Sequence, residues 1–165
     1  MATFSTSAWI DASKDKVWDT LADLGGIYKW NPGVSSSHST SESSSGEGAT
    51  RHCDLQTPGG KNMGYLEEKA FDWREGEGFK IDVYETNMPL KNNVVSFTVK
   101  ADGEGTRVAV SPDYAIKYGP LGAIADLLFV RRQMKKGMDG LLAGLKYYVE
   151  TGNEVGVSVP DTEPR

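Results

Sequence analysis

Residues 121–150 read LGAIADLLFVRRQMKKGMDGLLAGLKYYVE, and this stretch decides the fold. It follows Gly119-Pro120, and proline is well tolerated in the first turn of a helix, where its missing N–H is not needed. Apolar side chains then recur every three or four residues, which gives a helix one apolar face. This face consists of Leu127, Val130, Met134, Met138, Leu141, Leu145 and Tyr148. The pattern predicts one helix, roughly 45 Å long at 1.5 Å per residue.

A helix of this length needs a broad apolar surface to pack on, because intrinsic propensity alone rarely holds a helix in place. The preceding chain supplies short segments of β-forming residues separated by glycine turns. These segments are 3–10, 49–57, 63–73, 78–86, 93–101 and 106–118. Three Gly-Glu-Gly triplets, which begin at Gly46, Gly76 and Gly103, each precede such a segment. They are therefore predicted to be turns and not nucleotide-binding loops, which open a helix.

Two short helices are predicted between the first strand and the rest of the sheet. Ser13 is a suitable N-cap for a helix that carries Val17, Trp18 and Leu21 on one face, and residues 27–30 form a second short helix or turn. The serine-rich stretch 33–45 is interpreted either as an edge strand that runs into a loop or as a phosphorylated or flexible segment. The complete pattern predicts an α+β fold, in which a curved antiparallel sheet of about seven strands packs around the C-terminal helix.

The composition of the chain argues against several classes of function. The chain has 165 residues and a net charge of -5, which suits one domain and argues against binding to nucleic acid or an anionic membrane surface. No apolar run is long enough for a membrane span. The N-terminus lacks the features of a secretory signal, and Cys53 is the single cysteine, so a cytoplasmic location is expected. His38 and His52 have no ligand-like neighbours in the sequence, so neither a metal nor another cofactor is expected.

Several short motifs resemble the START-like superfamily, which has the helix-grip fold and is also called SRPBCC or Bet v 1-like. The run from Ala12 to Asp19 resembles its A-x-x-x-x-V-W helix entry, and Leu21-Ala22-Asp23 with the later Trp30-Asn31-Pro32-Gly33-Val34 resembles its continuation. Gly48-Ala49-Thr50-Arg51 and Glu67-Glu68-Lys69 resemble two of its strand signatures. The resemblance covers residues 3 to about 150. It predicts one helix-grip domain over 1–150, followed by a flexible tail over 151–165.

The resemblance implies a cavity between the sheet and the C-terminal helix that binds a hydrophobic or amphipathic molecule, such as a lipid, polyketide or steroid. Alternation along the strands gives the candidate lining from the sheet. These residues are Cys53, Leu55, Leu66, Glu68, Ile81, Val83, Phe97, Val99, Tyr114 and Ile116, and the helix contributes Met134, Met138, Leu141 and Leu145. Gly137, Gly140 and Gly144 flank the same helix face, which indicates either close packing or space for a ligand.

Two charged residues are candidates for orienting a ligand. Lys29 resembles the position from which some hormone-receptor relatives present a lysine to a ligand carboxylate, and Glu68 resembles their pocket glutamate. A Lys29–Glu68 pair in an apolar cavity would hold a polar head group. The alternatives are that both are solvated surface charges, or that a one-residue slip of the strand turns Glu67 inward instead.

Three functions remain open from the sequence. The first is a module that binds a hydrophobic small molecule. The second is an enzyme of the polyketide cyclase/dehydrase type, with Tyr114, Glu68 and His52 as candidate proton-transfer groups, although alternation with Cys53 turns His52 outward. The third is a ligand-free interaction module that dimerises through Trp9 or the serine-rich edge, and the expected state is a monomer or a homodimer.

Overall fold

The computed structural model describes residues 2–117, 119–125 and 129–160. Within them the strands are β1 (Ala2–Thr3), β2 (Thr6–Ile10), β3 (Val34–Ser39), β4 (Thr50–Gln56), β5 (Asn62–Arg74), β6 (Gly78–Thr86), β7 (Leu90–Asp102) and β8 (Gly105–Ile116). The helices are α1 (Lys14–Ala22), a 3-10 helix (Leu24–Lys29), α2 (Gly119–Ala125) and α3 (Arg131–Thr151). Within this part of the chain, no helix is long and apolar enough to cross a membrane.

The strands form one antiparallel sheet in the order β3-β4-β5-β6-β7-β8, and both β1 and β2 pair with β8. Thr3 pairs with Asp113 and Thr6 pairs with Val110, so β1 and β2 share one register and are two parts of one edge strand. The interruption lies opposite Pro112, which has no N–H to donate to a ladder. The predicted curved sheet of about seven strands beside a C-terminal helix is therefore confirmed.

The predicted turns and the serine-rich edge are also found. Gly76 (φ 74°) and Gly103 (φ 62°) lie in the β5–β6 and β7–β8 turns, where a left-handed backbone favours glycine. β3 is an edge strand that pairs with β4, and it carries the first half of the serine-rich stretch.

Helix α1 packs its apolar face on the sheet. Its N-cap is Ser13, whose hydroxyl oxygen accepts a hydrogen bond from the Lys16 N–H at 3.3 Å. Trp18 makes edge-to-face contacts with Trp73 on β5 and Phe79 on β6, with ring centroids 5.4 and 5.9 Å apart. Such aromatic pairs add about 0.5–1.5 kcal/mol beyond the burial of their area. These contacts fix the end of the interior that α1 covers.

The predicted helix over 121–150 is present as α2 and α3, and residues 126–128, with Leu127 among them, lie outside the described part. Leu141 and Leu145 of the predicted apolar face are buried, and Met134 and Met138 are half-buried. Polar contacts hold α3 against the edge strand. The Thr6 hydroxyl donates to Asp139 at 2.6 Å, and the Lys146 ammonium group donates to the Trp9 carbonyl oxygen at 2.9 Å.

The segment after α3, for which the sequence predicts a flexible tail, contacts the domain at Val155. Gly152 ends α3 in a left-handed conformation, with φ 76°. Three residues later the Val155 side chain is buried, and its N–H donates to the Lys29 carbonyl oxygen at 2.9 Å. This contact joins the C-terminal segment to the 3-10 helix.

Of the three glycines that flank the predicted ligand-facing side of α3, Gly144 marks close packing. A Cβ at Gly144 would lie 1.9 Å from the Trp30 carbonyl oxygen and 3.1 Å from Pro32 Cδ. A Cβ at Gly137 would have no heavy atom within 4 Å. The backbone of α3 therefore rests directly on the chain after the 3-10 helix at Gly144, while Gly137 faces open space.

We expect Gly144→Ala to lower the free energy of unfolding by about 1–3 kcal/mol. The added Cβ would clash with the main chain at Trp30, which can move away only if a whole backbone segment shifts. The matched control is Gly137→Ala, which should raise the free energy of unfolding by up to about 1 kcal/mol through better helix propensity. Urea denaturation of both variants measures the difference. Equal effects of the two substitutions would contradict the close approach of α3.

Candidate ligand-binding site

The strand register places five side chains in one row across the concave face of the sheet, which we call the polar row. Arg51 pairs with Glu68, and Glu68 pairs with Val83. Asn93 pairs with Tyr114. Asp82 pairs with Val94, and the same register continued by one residue places Val83 opposite Asn93. The row therefore crosses β4 to β8. Four of its five members are polar, although this face of the sheet forms the apolar core.

Arg51 and Glu68 form a buried ion pair at the β4 end of the row. Arg51 Nε donates to Glu68 Oε2 at 2.5 Å, and the two side chains are 5% and 7% exposed. Arg51 Nη1 also donates to the Leu24 carbonyl oxygen at 3.2 Å. Buried charges are tolerated only when each is paired and hydrogen-bonded. The pair thus neutralises both charges and joins the sheet to the 3-10 helix.

Burial and the neighbouring charges together determine the ionisation of Arg51 and of the adjacent Cys53. Burial disfavours the charged guanidinium, but the attraction of Glu68, the contribution of Cys53 and the hydrogen bond to Glu68 together outweigh it, so the pKa of Arg51 is raised. Burial also raises the pKa of the Cys53 thiol, whose Sγ lies 3.5 Å from Glu68 Oε2. Cys53 is therefore a neutral thiol that donates to a carboxylate, and it lacks the thiolate character of a nucleophile.

The polar row also carries hydrogen-bond acceptors without partners. The buried Oδ1 atom of Asn93 has no hydrogen-bond donor within the described residues. Both described hydrogen bonds to Glu68 end on Oε2, which leaves Oε1 available. An unpaired buried carbonyl costs about 1–3 kcal/mol. From the sequence, Arg51 was named only as part of a strand motif and Asn93 was not named, although alternation with the candidate lining residues Cys53 and Phe97 places both on the inner face.

Apolar side chains surround the polar row on both sides, and they are buried at one end of the interior and half-buried at the other. We call these ends the closed end and the open end. The predicted lining residues Cys53, Ile81, Phe97, Val99, Tyr114, Leu141 and Leu145 are buried. The predicted lining residues Leu55, Leu66, Val83, Ile116, Met134 and Met138 are half-buried. The open end lies where β4, β6 and β8 finish, close to α2, whose Leu121 and Ile124 side chains are exposed.

Lys29 lies outside the polar row and the apolar side chains that surround it. Its predicted pairing with Glu68 is replaced by the Arg51–Glu68 pair, because Lys29 lies at the end of the 3-10 helix and faces a different part of the molecule. There it lines a hollow of about 210 Å³ between α1, the 3-10 helix and α3. The other residues of this hollow are Asp19, Thr20, Asp23, Gly26, Trp30 and Tyr148.

His52 lies on the outer face of the sheet, as alternation predicted. Its Nδ1 contacts Glu67, and its Nε2 lies 2.9 Å from Asp54 Oδ1. The hydrogen bond to Glu67, followed by that to Asp54, raises the pKa of His52. Since Glu67 points outward with His52, the strand register turns Glu68 inward. His52 therefore cannot transfer protons in the interior.

A shallow hollow of about 450 Å³ lies on the outer face, over β2, β8 and β7. Its lining includes Ser7, Lys100 and Arg107, and the Arg107 Nε donates to Asp102 at 2.9 Å. Both polar and apolar atoms line this hollow, and the sheet separates it from the polar row.

Comparisons with known proteins agree with this fold. The family model described as polyketide cyclase/dehydrase and lipid transport matches residues 1–150. The protein TTHA0849 from Thermus thermophilus has a TM-score of 0.77 and 20% identity, over 92% of this chain and 99% of that chain. A START superfamily protein from Mycobacterium smegmatis has a TM-score of 0.74 and 14% identity, over 92% and 99% of the two chains.

The di-domain ARO/CYC StfQ from the steffimycin biosynthetic pathway has a TM-score of 0.73 and 15% identity, over 90% of this chain and 50% of that chain. At these identities the structural likenesses show the shared fold. No curated protein matches the chain significantly. The START-like helix-grip fold predicted from the sequence motifs is confirmed.

Breaking the ion pair tests its role in stability. We expect Glu68→Leu to lower the free energy of unfolding by about 3–5 kcal/mol, because it leaves Arg51 buried without a counter-charge. The double variant Arg51→Met/Glu68→Leu should recover most of this loss, since it leaves no buried charge. Chemical denaturation of the single and double variants gives both values. A double variant as unstable as Glu68→Leu would contradict the assignment.

Proposed function

Because the chain belongs to the polyketide cyclase/dehydrase and lipid transport family, we propose that it binds one hydrophobic or amphipathic small molecule between the concave face of the sheet and α3. The observation that carries the proposal is the buried Asn93 Oδ1 without a donor among the described residues, in a row of polar side chains that apolar side chains surround. Ligand sites are mostly apolar and have a few well-placed polar groups that fix the orientation of the ligand. The polar row has this composition.

The proposed ligand enters at the open end. Leu55, Leu66 and Val83 are half-buried there, so they offer apolar contact and remain within reach of solvent. Met134 and Met138 are half-buried on α3, and Met138 packs against the core. Methionine side chains adapt to irregular ligand shapes. A ligand would cover apolar surface that is otherwise hydrated, which stabilises the complex by about 25 cal/mol per Å².

The interior supports binding better than proton-transfer catalysis. A general acid or base works best with a pKa near the working pH. The Cys53 thiol has a raised pKa, Glu68 is bound to Arg51, and His52 is on the opposite face of the sheet. A cyclase role is the second candidate, since Tyr114 and Glu68 both belong to the polar row and a shaped interior can fold a reactive chain.

The neutral dye N-phenyl-1-naphthylamine provides the test. We expect saturable fluorescence enhancement with one dye bound per chain. Val83→Trp should weaken dye binding about tenfold or more, a loss of roughly 1.4 kcal/mol, because the larger side chain fills the interior. The matched control is Val94→Trp on the outer face of β7, which should leave the affinity unchanged, with circular dichroism as a check on folding.

Two results would contradict this function. The wild-type chain could show no saturable enhancement, which would leave the interior without a binding role. Alternatively, Val94→Trp could weaken dye binding as much as Val83→Trp does, which would mean that the dye binds away from the concave face.

A further inference from the structure

We infer that the interior selects neutral ligands that carry a hydroxyl group and rejects carboxylates. This inference rests on the proposed function and adds the chemical class of the ligand. It follows from the charge balance of the polar row and from the positions of its unpaired acceptors.

The charge balance disfavours an anionic ligand. Arg51 and Glu68 are the only charged residues that are buried within the described part of the chain. Arg51 already donates to Glu68 at 2.5 Å and to the Leu24 carbonyl oxygen at 3.2 Å. A ligand carboxylate in the interior would meet no unpaired cation among these residues, and an unpaired buried charge is costly. Lys29, which the sequence suggested for this purpose, lies at the separate hollow beside α1.

The unpaired acceptors of the polar row require donors. Asn93 Oδ1 and Glu68 Oε1 are both acceptors, and a carboxylate has no proton to donate to either. A hydroxyl group donates to either oxygen, and at the buried Asn93 Oδ1 it removes the cost of burial without a partner. A hydroxyl group can also accept from the Asn93 amide N–H groups, so it suits either orientation of this side chain.

The spacing of the acceptors indicates the shape of the ligand. Glu68 lies on β5 and Asn93 lies on β7, with the apolar Val83 on β6 between them. Strands are about 4.8 Å apart, so the two backbones are separated by roughly 10 Å. An apolar ring system with hydroxyl groups at both ends would cover Val83 and reach both acceptors.

The first experiment compares 2-naphthol with 2-naphthoate at neutral pH, by displacement of N-phenyl-1-naphthylamine from the wild-type chain. The two competitors share one ring system, but only 2-naphthoate is charged. We expect 2-naphthol to bind about tenfold more tightly or better, the difference that one satisfied hydrogen bond makes. Equal binding, or tighter binding of 2-naphthoate, would overturn the inference.

Glu68→Gln tests the charge balance directly. This substitution removes the counter-charge of Arg51, so we expect 2-naphthoate to gain about tenfold in affinity or more, and the preference for 2-naphthol to be lost. The matched control is Glu67→Gln, the preceding residue on β5, which points to the outer face. It should leave both affinities unchanged. An unaltered preference in a folded Glu68→Gln variant would count against the role of the ion pair.

Asn93→Leu gives an independent test, which remains available if Glu68→Gln does not fold. It should lower the affinity for 2-naphthol about tenfold and leave the affinity for naphthalene unchanged, because only the hydroxyl group of 2-naphthol forms a hydrogen bond with the amide. Equal losses for both compounds would contradict hydrogen bonding by Asn93. Failure of the dye to bind the wild-type chain would refute the proposed function, whereas dye binding without discrimination between the competitors would refute this inference alone.

Discussion

The buried pair between Arg51 and Glu68 is the interaction on which the interior depends. It joins β4 to β5 at 2.5 Å and reaches the 3-10 helix through the Leu24 carbonyl oxygen. A charge in this position requires its partner, because either group alone would be buried and unpaired. The pair therefore fixes the helical layer over one end of the sheet. It also balances the buried charges of the interior, and the proposed ligand chemistry depends on this neutrality.

The two halves of α3 pack differently against the rest of the domain. At Gly144 the helix backbone rests on the Trp30 carbonyl group, which holds the C-terminal half of α3 tightly against the chain after the 3-10 helix. Towards the N-terminal half, Met134 and Met138 are half-buried and Gly137 has open space beside it. One helix thus anchors the fold at one end and leaves apolar surface within reach of a ligand at the other. This division suits the proposed function, in which one small core provides both stability and a binding surface.

The sequence predicted most of the fold because its signals were local. Alternation located the strands, glycines marked the turns, and the spacing of apolar residues located α3. The site was harder to predict, because its polar contacts join distant parts of the chain. The hydrogen bond from Arg51 to Leu24 depends on how the 3-10 helix docks. The unpaired oxygen of Asn93 depends on every neighbouring side chain. Lys29 was placed by resemblance, and the docking of the 3-10 helix directs it elsewhere.

The central claim is that the ligand lies against the polar row on the concave face. Titration of ¹⁵N-labelled protein with 2-naphthol, followed by nuclear magnetic resonance, tests it most directly because each amide reports its own position. We predict the largest shift changes at the Asn93 side-chain amide and at the backbone amides of Val83 and Tyr114. Shift changes confined to the outer hollow at Ser7, Lys100 and Arg107, with Asn93 unaffected, would contradict the account.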